Sequence, residues 1–509
     1  MKQLPDESID LIVTDPPYQL DSPKHIADET EEIKEESDNV KGFMGKFWDV
    51  LPSVEILKEC CRVLKSGAFS FWLMTPRQDS LATFIMRLKR AGFNVNFTTM
   101  NWIYFTGFPK SMSISLAIDK RECRKQLKEK LGKEPSKEEF ENEWKNFRKI
   151  IGQLKSGGFG HMMKTNKEQG FRPSDYYEES GNVFRDKTPV SPQAKALDGS
   201  FAGFQPKPSF ECIVVAMKHL SEKSFVDQAL KNGKGITWLE YCRIPFSSEN
   251  DRWKYPEGAG GVYSHEYQKQ NPKCKEWNDF STIEDNKPVI SNIEGRFPAN
   301  IIVSGDALND GTKSKGQQGA TTGEEPSTQK RANVYGDYTG FGKVTIPRGD
   351  EGSYSRYFSL DAWWKEQIKK LPIEVQKIFP FLIVPKASKS ERNAGCEGLE
   401  AKVSPKMAGA DRETRPNANN DVSDRFETLP QKNPHPTVKP VELMSYLITL
   451  GSRPNDIILD PFAGSGTTAV ACRILNRKSI NFEKIKEYCE IAENRIKPFL
   501  EQKKFMEFQ

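Results

Sequence analysis

Ile9-Asp10-Leu11-Ile12-Val13-Thr14-Asp15-Pro16-Pro17-Tyr18 stands near the start of the chain, and Ile457-Ile458-Leu459-Asp460-Pro461-Phe462-Ala463-Gly464-Ser465-Gly466 near its end. In each, an apolar run bounded by turn residues predicts a buried strand, with the turn at the strand's carboxyl end. Open α/β sheets hold ligands at that edge. Two half-sites of this kind at opposite termini imply one shared pocket.

Outward from Asp15, Ser8 to Thr14 reads as a strand and Val54 to Leu64 as a helix stopped by Lys65-Ser66-Gly67. Ala68 to Met74 follows as a strand, Ser80 to Ala91 as a helix closed by Gly92, and Val95 to Phe105 as a strand. This alternation predicts a parallel sheet with helices on both faces. Around Asp460 the rhythm returns. Val441 to Leu450 reads as a helix, Ile457 to Leu459 as a strand, Gly466 to Leu475 as a helix, Lys478 to Phe482 as a strand and Tyr488 to Leu500 as a helix. The two ends therefore predict one α/β domain.

The middle reads differently. Ser136-Lys137-Glu138-Glu139 has capping-box form, and Phe140, Trp144, Phe147 and Ile151 recur at helical spacing, predicting a charged helical pair between Ile114 and Leu154. Gly157 to Gly203, Glu249 to Lys287, Gly305 to Gly352 and Ala401 to Asn433 are polar and turn-rich, and read as loops or insertions. Glu211 to Lys218, Phe297 to Val303 and Phe379 to Val384 are short apolar runs of strand character. The expected division is 1–113, a middle region 114–433 with returns to the sheet near 211–218 and 379–384, and 434–509 completing the first unit.

With 509 residues, of which 36% are hydrophobic, the chain is long enough for a large core. Mean hydropathy is −0.66. No apolar run reaches spanning length and the first residues lack a secretory pattern, so the expectation is a cytoplasmic protein without a membrane partner. Nine cysteines include no C-x-x-C pair, so free thiols are expected and no metal site is indicated. A net charge of +5 is too small to argue for nucleic acid by itself. Glu29 to Asp38 is an acidic run that reads as a solvated face.

After Asp460, the small residues Ala463, Gly464, Ser465 and Gly466 let the backbone approach a ligand, and a helix beginning near Thr467 turns free N–H groups toward it. Glu483, 17 residues beyond Gly466, stands about where a dinucleotide-type fold places the acid that binds ribose hydroxyls. By itself a glycine loop of this kind also suits a phosphate or a dinucleotide.

Asp15-Pro16-Pro17-Tyr18 together with Phe462-Ala463-Gly464-Ser465-Gly466 resembles the amino-group DNA methyltransferases, and the order, amine motif first, resembles their beta subclass. His435-Pro436-Thr437-Val438-Lys439-Pro440 resembles the segment that covers the methionine end of S-adenosylmethionine in that family. Further segments resemble phage and prophage adenine enzymes: Gly42 to Asp49, Trp102 to Tyr104 with Gly107 to Ser111, Gly295 to Asn300, and Pro385 to Arg392. Lys386 and Arg392 are candidates for phosphate contacts, and Trp102 and Tyr104 for core or base-facing roles.

The resemblance implies a Rossmann-like, S-adenosylmethionine-dependent methyltransferase fold, α/β, with a mostly parallel sheet, helices on both faces and a long inserted target-recognition region. It implies methyl transfer to adenine N6 in double-stranded DNA, on a base swung out of the duplex. Asp15 and the carbonyl of Pro16 would accept the amine's hydrogens, Pro17 would complete a turn without competing donors, and Tyr18 would stack on the base. Thr437, Lys439, Asp460, Phe462, Gly464, Ser465, Gly466 and Glu483 would serve the cofactor. Cytosine N4 is the alternative target. A DNA-binding homologue impaired in catalysis, and an RNA or protein amine methyltransferase, are the alternatives of other kinds. Family members usually carry a strand and a Gly-Asp turn upstream of the segment that here occupies Leu4 to Asp6, and the acid of that turn helps hold the cofactor's adenine. A homodimer and an accompanying restriction nuclease are left open as partners.

Overall fold

The computed structural model describes residues 1–18, 49–104, 112–148, 150–155, 183–204, 209–246, 295–309, 314–315, 332–333, 336–337, 351–371, 389–401, 432–435 and 437–501. Its strands are β1 (Leu11–Thr14), β2 (Phe69–Met74), β3 (Phe93–Asn94), β4 (Met100–Ile103), β5 (Ile150–Lys155), β6 (Val183–Lys187), β7 (Phe210–Lys218) and β8 (Ile301–Val303). Four two-residue strands follow, β9 (Ser314–Lys315), β10 (Ala332–Asn333), β11 (Gly336–Asp337) and β12 (Glu351–Gly352), and then β13 (Ile457–Asp460) and β14 (Lys478–Asn481). The helices are α1 (Val54–Val63), α2 (Gln78–Arg90), α3 (Ile114–Leu131), α4 (Lys137–Phe147), α5 (Pro192–Ala196), α6 (Phe225–Asn232), α7 (Leu360–Lys369), α8 (Lys389–Asn393), α9 (Val441–Gly451), α10 (Thr467–Ile474) and α11 (Lys486–Glu501).

One sheet organises the molecule, in the order β14-β13-β1-β2-β7-β4-β8, with β3 also paired to β7. β14, β13, β1 and β2 are mutually parallel, and β4 and β8 are parallel to each other. β7 is reversed and pairs antiparallel with β2, β3 and β4. From β1 the chain proceeds to β2 on one side, while β13 proceeds to β14 on the other. The β1/β13 boundary is therefore the topological switch point, where the crevice beyond the strand ends opens.

Every residue of β1 and β2 is buried, as expected of strands covered on both faces. Side chains alternate between two cores. Leu11, Val13, Phe71 and Leu73 face a layer that includes Leu443, Leu447 and Trp363, whereas Ile12, Trp72 and Met74 face Leu57, Phe84 and Leu88. All eleven residues of α9 are buried, Glu442, Ser445 and Thr449 among them, so the helix is covered on every side. At its end a Cβ on Gly451 would lie 2.6 Å from Leu11 Cδ1, so helix and sheet meet at a distance only glycine permits.

The expected fold class holds, with local corrections. The fully parallel continuation past β2 is replaced by the antiparallel β7, and the strand expected over Val95 to Phe105 is confined to β4, with the two-residue β3 lying just before that range. Ile151 belongs to β5, which pairs with β6; β-branched Ile150 and Ile151 favour a strand once α4 has ended at Phe147. β6 and α5 lie inside the stretch expected to be loop. The capping box at Ser136 and Glu139 forms as expected. Helices α6 and α7 were not anticipated, because their apolar residues are few and flanked by turn-rich sequence. Phe379 to Val384, Glu29 to Asp38, Gly107 to Ser111 and Glu249 to Lys287 lie outside the described residues, as do all but Asp49 of Gly42 to Asp49 and Lys386 of the Pro385 segment. The eight described cysteines are free. Among the described residues no helix is long and apolar enough to cross a membrane, and no His, Cys, Asp and Glu cluster could hold a metal.

Candidate active site

Asp15 leaves β1 and Asp460 ends β13, strands paired in register Ile12 to Leu459. The two turns are joined directly, since Thr14 Oγ1 donates to Asp460 Oδ1 at 2.6 Å. The other Asp460 oxygen accepts from Thr468 Oγ1 at 2.5 Å, and the Phe462 N–H donates to Oδ1 at 3.1 Å. Burial pushes the Asp460 carboxyl up to about 6. Its acceptors are thus taken up inside the protein. Asp460 clasps the two strand ends together.

At the glycine turn, the Gly464 N–H donates to Glu483 Oε2 at 2.8 Å, and the Ile485 N–H donates to Glu483 Oε1 at 2.9 Å. Glu483 therefore stands beside the loop, just past β14. Gly464 has φ +52° and faces the His435 ring, and a Cβ there would lie 2.7 Å from His435 Nε2. Gly466 has φ +77° and packs on Ala492. The buried guanidinium of Arg495 donates to Ser465 O at 2.8 Å and to Ser465 Oγ at 2.9 Å. Ser465 is held by the protein's own cation. Phe462 and Tyr18 are half-buried and pack against the same core cluster. Thr437 is exposed, and its N–H donates to His435 Nδ1 at 3.3 Å.

The amine motif is surrounded by charge. Tyr18 Oη donates to Asp15 Oδ1 at 2.5 Å, and the Tyr18 N–H donates to Asp49 Oδ1 at 3.1 Å. Lys439 Nζ lies 3.1 Å from Asp15 Oδ2, 3.0 Å from Glu211 Oε2 and 3.1 Å from Tyr18 Oη. Tyr104 Oη donates to Glu211 Oε1 at 3.4 Å. Burial raises the Asp15 carboxyl to about 6, with Lys439 pulling it down and Glu211 pushing it up. Burial also raises the Tyr18 hydroxyl well above its ordinary value, reinforced by the charge of Asp15. At neutral pH the pair is therefore a tyrosine donor and an aspartate acceptor.

Lys439, which the resemblance of its segment assigned to the methionine end of the cofactor, has its ammonium against Asp15. Trp102 is a core aromatic, donating through Nε1 to Ser304 Oγ at 2.8 Å. Arg392 lies inside the protein and donates to His435 O. Sequence reading did not nominate Glu211, Asp49 or Arg495. The signal for Glu211 is a carboxylate at the head of an otherwise apolar run, Cys212 to Met217.

Comparison with known proteins follows the same lines. A family model described as DNA methylase matches residues 9–494. Over 65 residues, 13% of this chain and 21% of the relative, the sequence is 46% identical to the type II methyltransferase M.HpaI of Haemophilus parainfluenzae. Over 69 residues, 14% of this chain and 22% of the relative, it is 46% identical to the type II methyltransferase M.HindIII of Haemophilus influenzae. The chain thus spans about a fifth of the length of the curated relatives it matches. Among solved structures, the PvuII DNA methyltransferase described as cytosine-N4-specific aligns with 11% identity over 97% of this chain and 81% of its own, with a TM-score of 0.32. That likeness is too slight to carry an argument about target or site.

Proposed function

We propose that this chain, which belongs to the DNA methylase family, transfers a methyl group from S-adenosylmethionine to the exocyclic N6 of adenine in double-stranded DNA. The observation that carries the reading is the juxtaposition at the switch point: the amine motif after β1 and the glycine turn after β13, tied by the Thr14–Asp460 hydrogen bond. Asp as the first residue of the amine motif favours adenine N6 over cytosine N4.

The residues present fit the methyl donor. Gly464 and Gly466 keep the turn after β13 free of side chains, and Glu483 places a carboxylate at that turn, suited to ribose hydroxyls. Phe462 and Thr437 border the same turn, and Ser465 shapes it from within. When bound, S-adenosylmethionine supplies a methyl group on a positively charged sulfur. Two carboxylates, Asp15 and Glu211, against one ammonium, Lys439, leave the neighbouring cluster with one net negative charge, which suits that cation.

On the amine side, a ring-conjugated nitrogen is a poor nucleophile because its lone pair is delocalised. Asp15 and the Pro16 carbonyl accept its two hydrogens and favour a pyramidal nitrogen with an available lone pair. Pro16 and Pro17 bring no N–H to compete for the same acceptors. With the methyl donor bound, Asp15 and the Pro16 carbonyl would hold the nitrogen with its lone pair free to take the methyl group, the electrons of the broken carbon–sulfur bond staying on sulfur, and Asp15 would accept the surplus proton and release it to solvent. Tyr18 holds Asp15 in orientation and offers a ring face to the extruded base. The test is transfer of a radiolabelled methyl group to unmodified DNA, digestion to nucleosides and weighing of the product. N6-methyladenine is expected; N4-methylcytosine would move the target, and unlabelled DNA would refute the activity.

A further inference from the structure

We propose that Glu211 is a positioning residue for the transfer: it takes up the charge of Lys439 so that Asp15 can turn its oxygen Oδ2 to the incoming amine. The inference rests on the methyltransferase reading of the same site and adds to it a residue from β7, two strands away from β1.

An ammonium has three hydrogens, and Lys439 has an acceptor for each: Asp15 Oδ2, Glu211 Oε2 and Tyr18 Oη, all within 3.1 Å. Asp15 is correspondingly occupied, with Oδ1 taking the Tyr18 hydroxyl and Oδ2 taking Lys439. An amine entering this pocket competes with Lys439 for Oδ2. Were Asp15 the lone counter-charge, slackening that contact would strand a buried cation, since the Lys439 side chain is only 8% exposed. Glu211 removes the obstacle. Its Oε2 holds Lys439 at 3.0 Å, while its Oε1 is steadied by the Tyr104 hydroxyl.

Topology explains why a carboxylate is available there. β7 runs against its neighbours, so its first residues lie at the edge where β1, β2 and β4 end, with Glu211 opposite Trp102 and Cys212 opposite Met74. A parallel strand in this place would present its last residues, Met217 and Lys218, and put a cation beside the amine pocket. The charge count points the same way. Transfer moves positive charge from sulfur to nitrogen, and a cluster of net charge −1 stabilises it, whereas Asp15 with Lys439 alone is neutral.

Among the described residues, the groups facing Asp15 are Tyr18 from its own loop, Glu211 from β7, Tyr104 just past β4 and Lys439 from the segment before α9; Asp49 holds the Tyr18 main chain. Glu211→Gln keeps the size and removes the charge. With wild-type enzyme and unmodified DNA, the expected results are a kcat lower by roughly 10- to 100-fold, a KM for DNA essentially unchanged, and an acidic limb of the pH–rate profile displaced to lower pH. Glu211→Asp keeps the charge and should leave that limb where wild type has it, which separates lost charge from a damaged fold.

The carboxyl carbon signal of Asp15, assigned by its loss in Asp15→Asn and titrated in the free protein, should also move to lower pH in Glu211→Gln. Wild-type kinetics in Glu211→Gln, or an unmoved Asp15 titration, would overturn the assignment. Wild-type protein that methylates no DNA would instead overturn the proposed function, and the Asp15 titration would still decide whether Glu211 acts on Asp15.

Discussion

Asp15 and Asp460 follow neighbouring parallel strands, each precedes a proline, and burial pushes each carboxyl up to about 6. Their partners set them apart. Asp460 accepts from two threonine hydroxyls and a main-chain N–H, all neutral donors, Thr14 at the end of β1, Thr468 in α10 and Phe462 in its own turn. Asp15 faces an ammonium and a tyrosine, and through the ammonium a second carboxylate from β7. Neutral donors hold a carboxylate in place, while a movable cation leaves it able to exchange partners. An Asp-Pro step at a strand's carboxyl end thus yields a clasp in one turn and a reactive acceptor in the other.

The hardest blow to this contrast falls on Asp15. Asp15→Ala should abolish methyl transfer, a loss of at least about 10³-fold where an electrostatic contact to the reacting group is removed. Calorimetry should find S-adenosylmethionine binding nearly intact. Lost cofactor affinity with retained turnover would place Asp15 on the wrong side of the pocket. Protonation should mimic the substitution. Below about pH 6 the Asp15 carboxyl becomes a donor and ceases to accept from the amine, so the rate should fall about tenfold per pH unit. In Asp460→Asn that acidic limb should stay in place, because Asp460 contacts no reacting group; a limb that disappears there would assign the titration to the clasp.

Asp460 answers to stability. Its carboxyl is raised above the unfolded value of 3.8 to about 6, so the associated stability is fully present below about pH 4 and is lost as pH rises through about 6. Asparagine does not ionise. The stability difference between Asp460→Asn and wild type should therefore shift in favour of the variant by up to ~3 kcal/mol between pH 4 and pH 8. Urea unfolding at the two pH values measures it, and a constant difference would contradict the raised carboxyl.

How much of this was legible in the chain follows from how local each feature is. The strand-turn units around Asp15 and Asp460 are continuous in sequence, so apolar runs ending in Asp-Pro disclosed both half-sites and the sheet edge they share. Lys439 was read with its sequence neighbours of the His435 segment, but a lysine side chain reaches several ångströms, and this one crosses to β1's turn. Glu211 shows in the sequence only as a carboxylate at the head of an apolar run, because it is the reversal of β7 that brings the head of that strand to the pocket. Strand direction is a property of the whole sheet, and nothing in Phe210 to Lys218 encodes it. For Ser465 and Asp460 the motif is legible in the sequence, whereas the partners that hold them, Arg495, Thr14 and Thr468, come from elsewhere in the fold.

The smallest expected effect concerns the glycine turn after β13. Gly464 has φ +52°, and a Cβ there would lie 2.7 Å from Nε2 and 3.0 Å from Cε1 of the His435 ring. That ring cannot swing away easily, since it is buried and packs edge-on against Tyr488 with centroids 4.5 Å apart. Gly464→Ala should therefore cost about 1–2 kcal/mol, from the left-handed backbone and the displaced ring together. The displacement acts on the cofactor turn and leaves the Asp15 cluster untouched. Weaker S-adenosylmethionine binding with an unmoved acidic limb in the pH–rate profile is the expected signature. A shifted limb in this variant would mean that the two turns are coupled through more than the Thr14–Asp460 clasp, and the division between a backbone-built turn and a charge-built one would need redrawing.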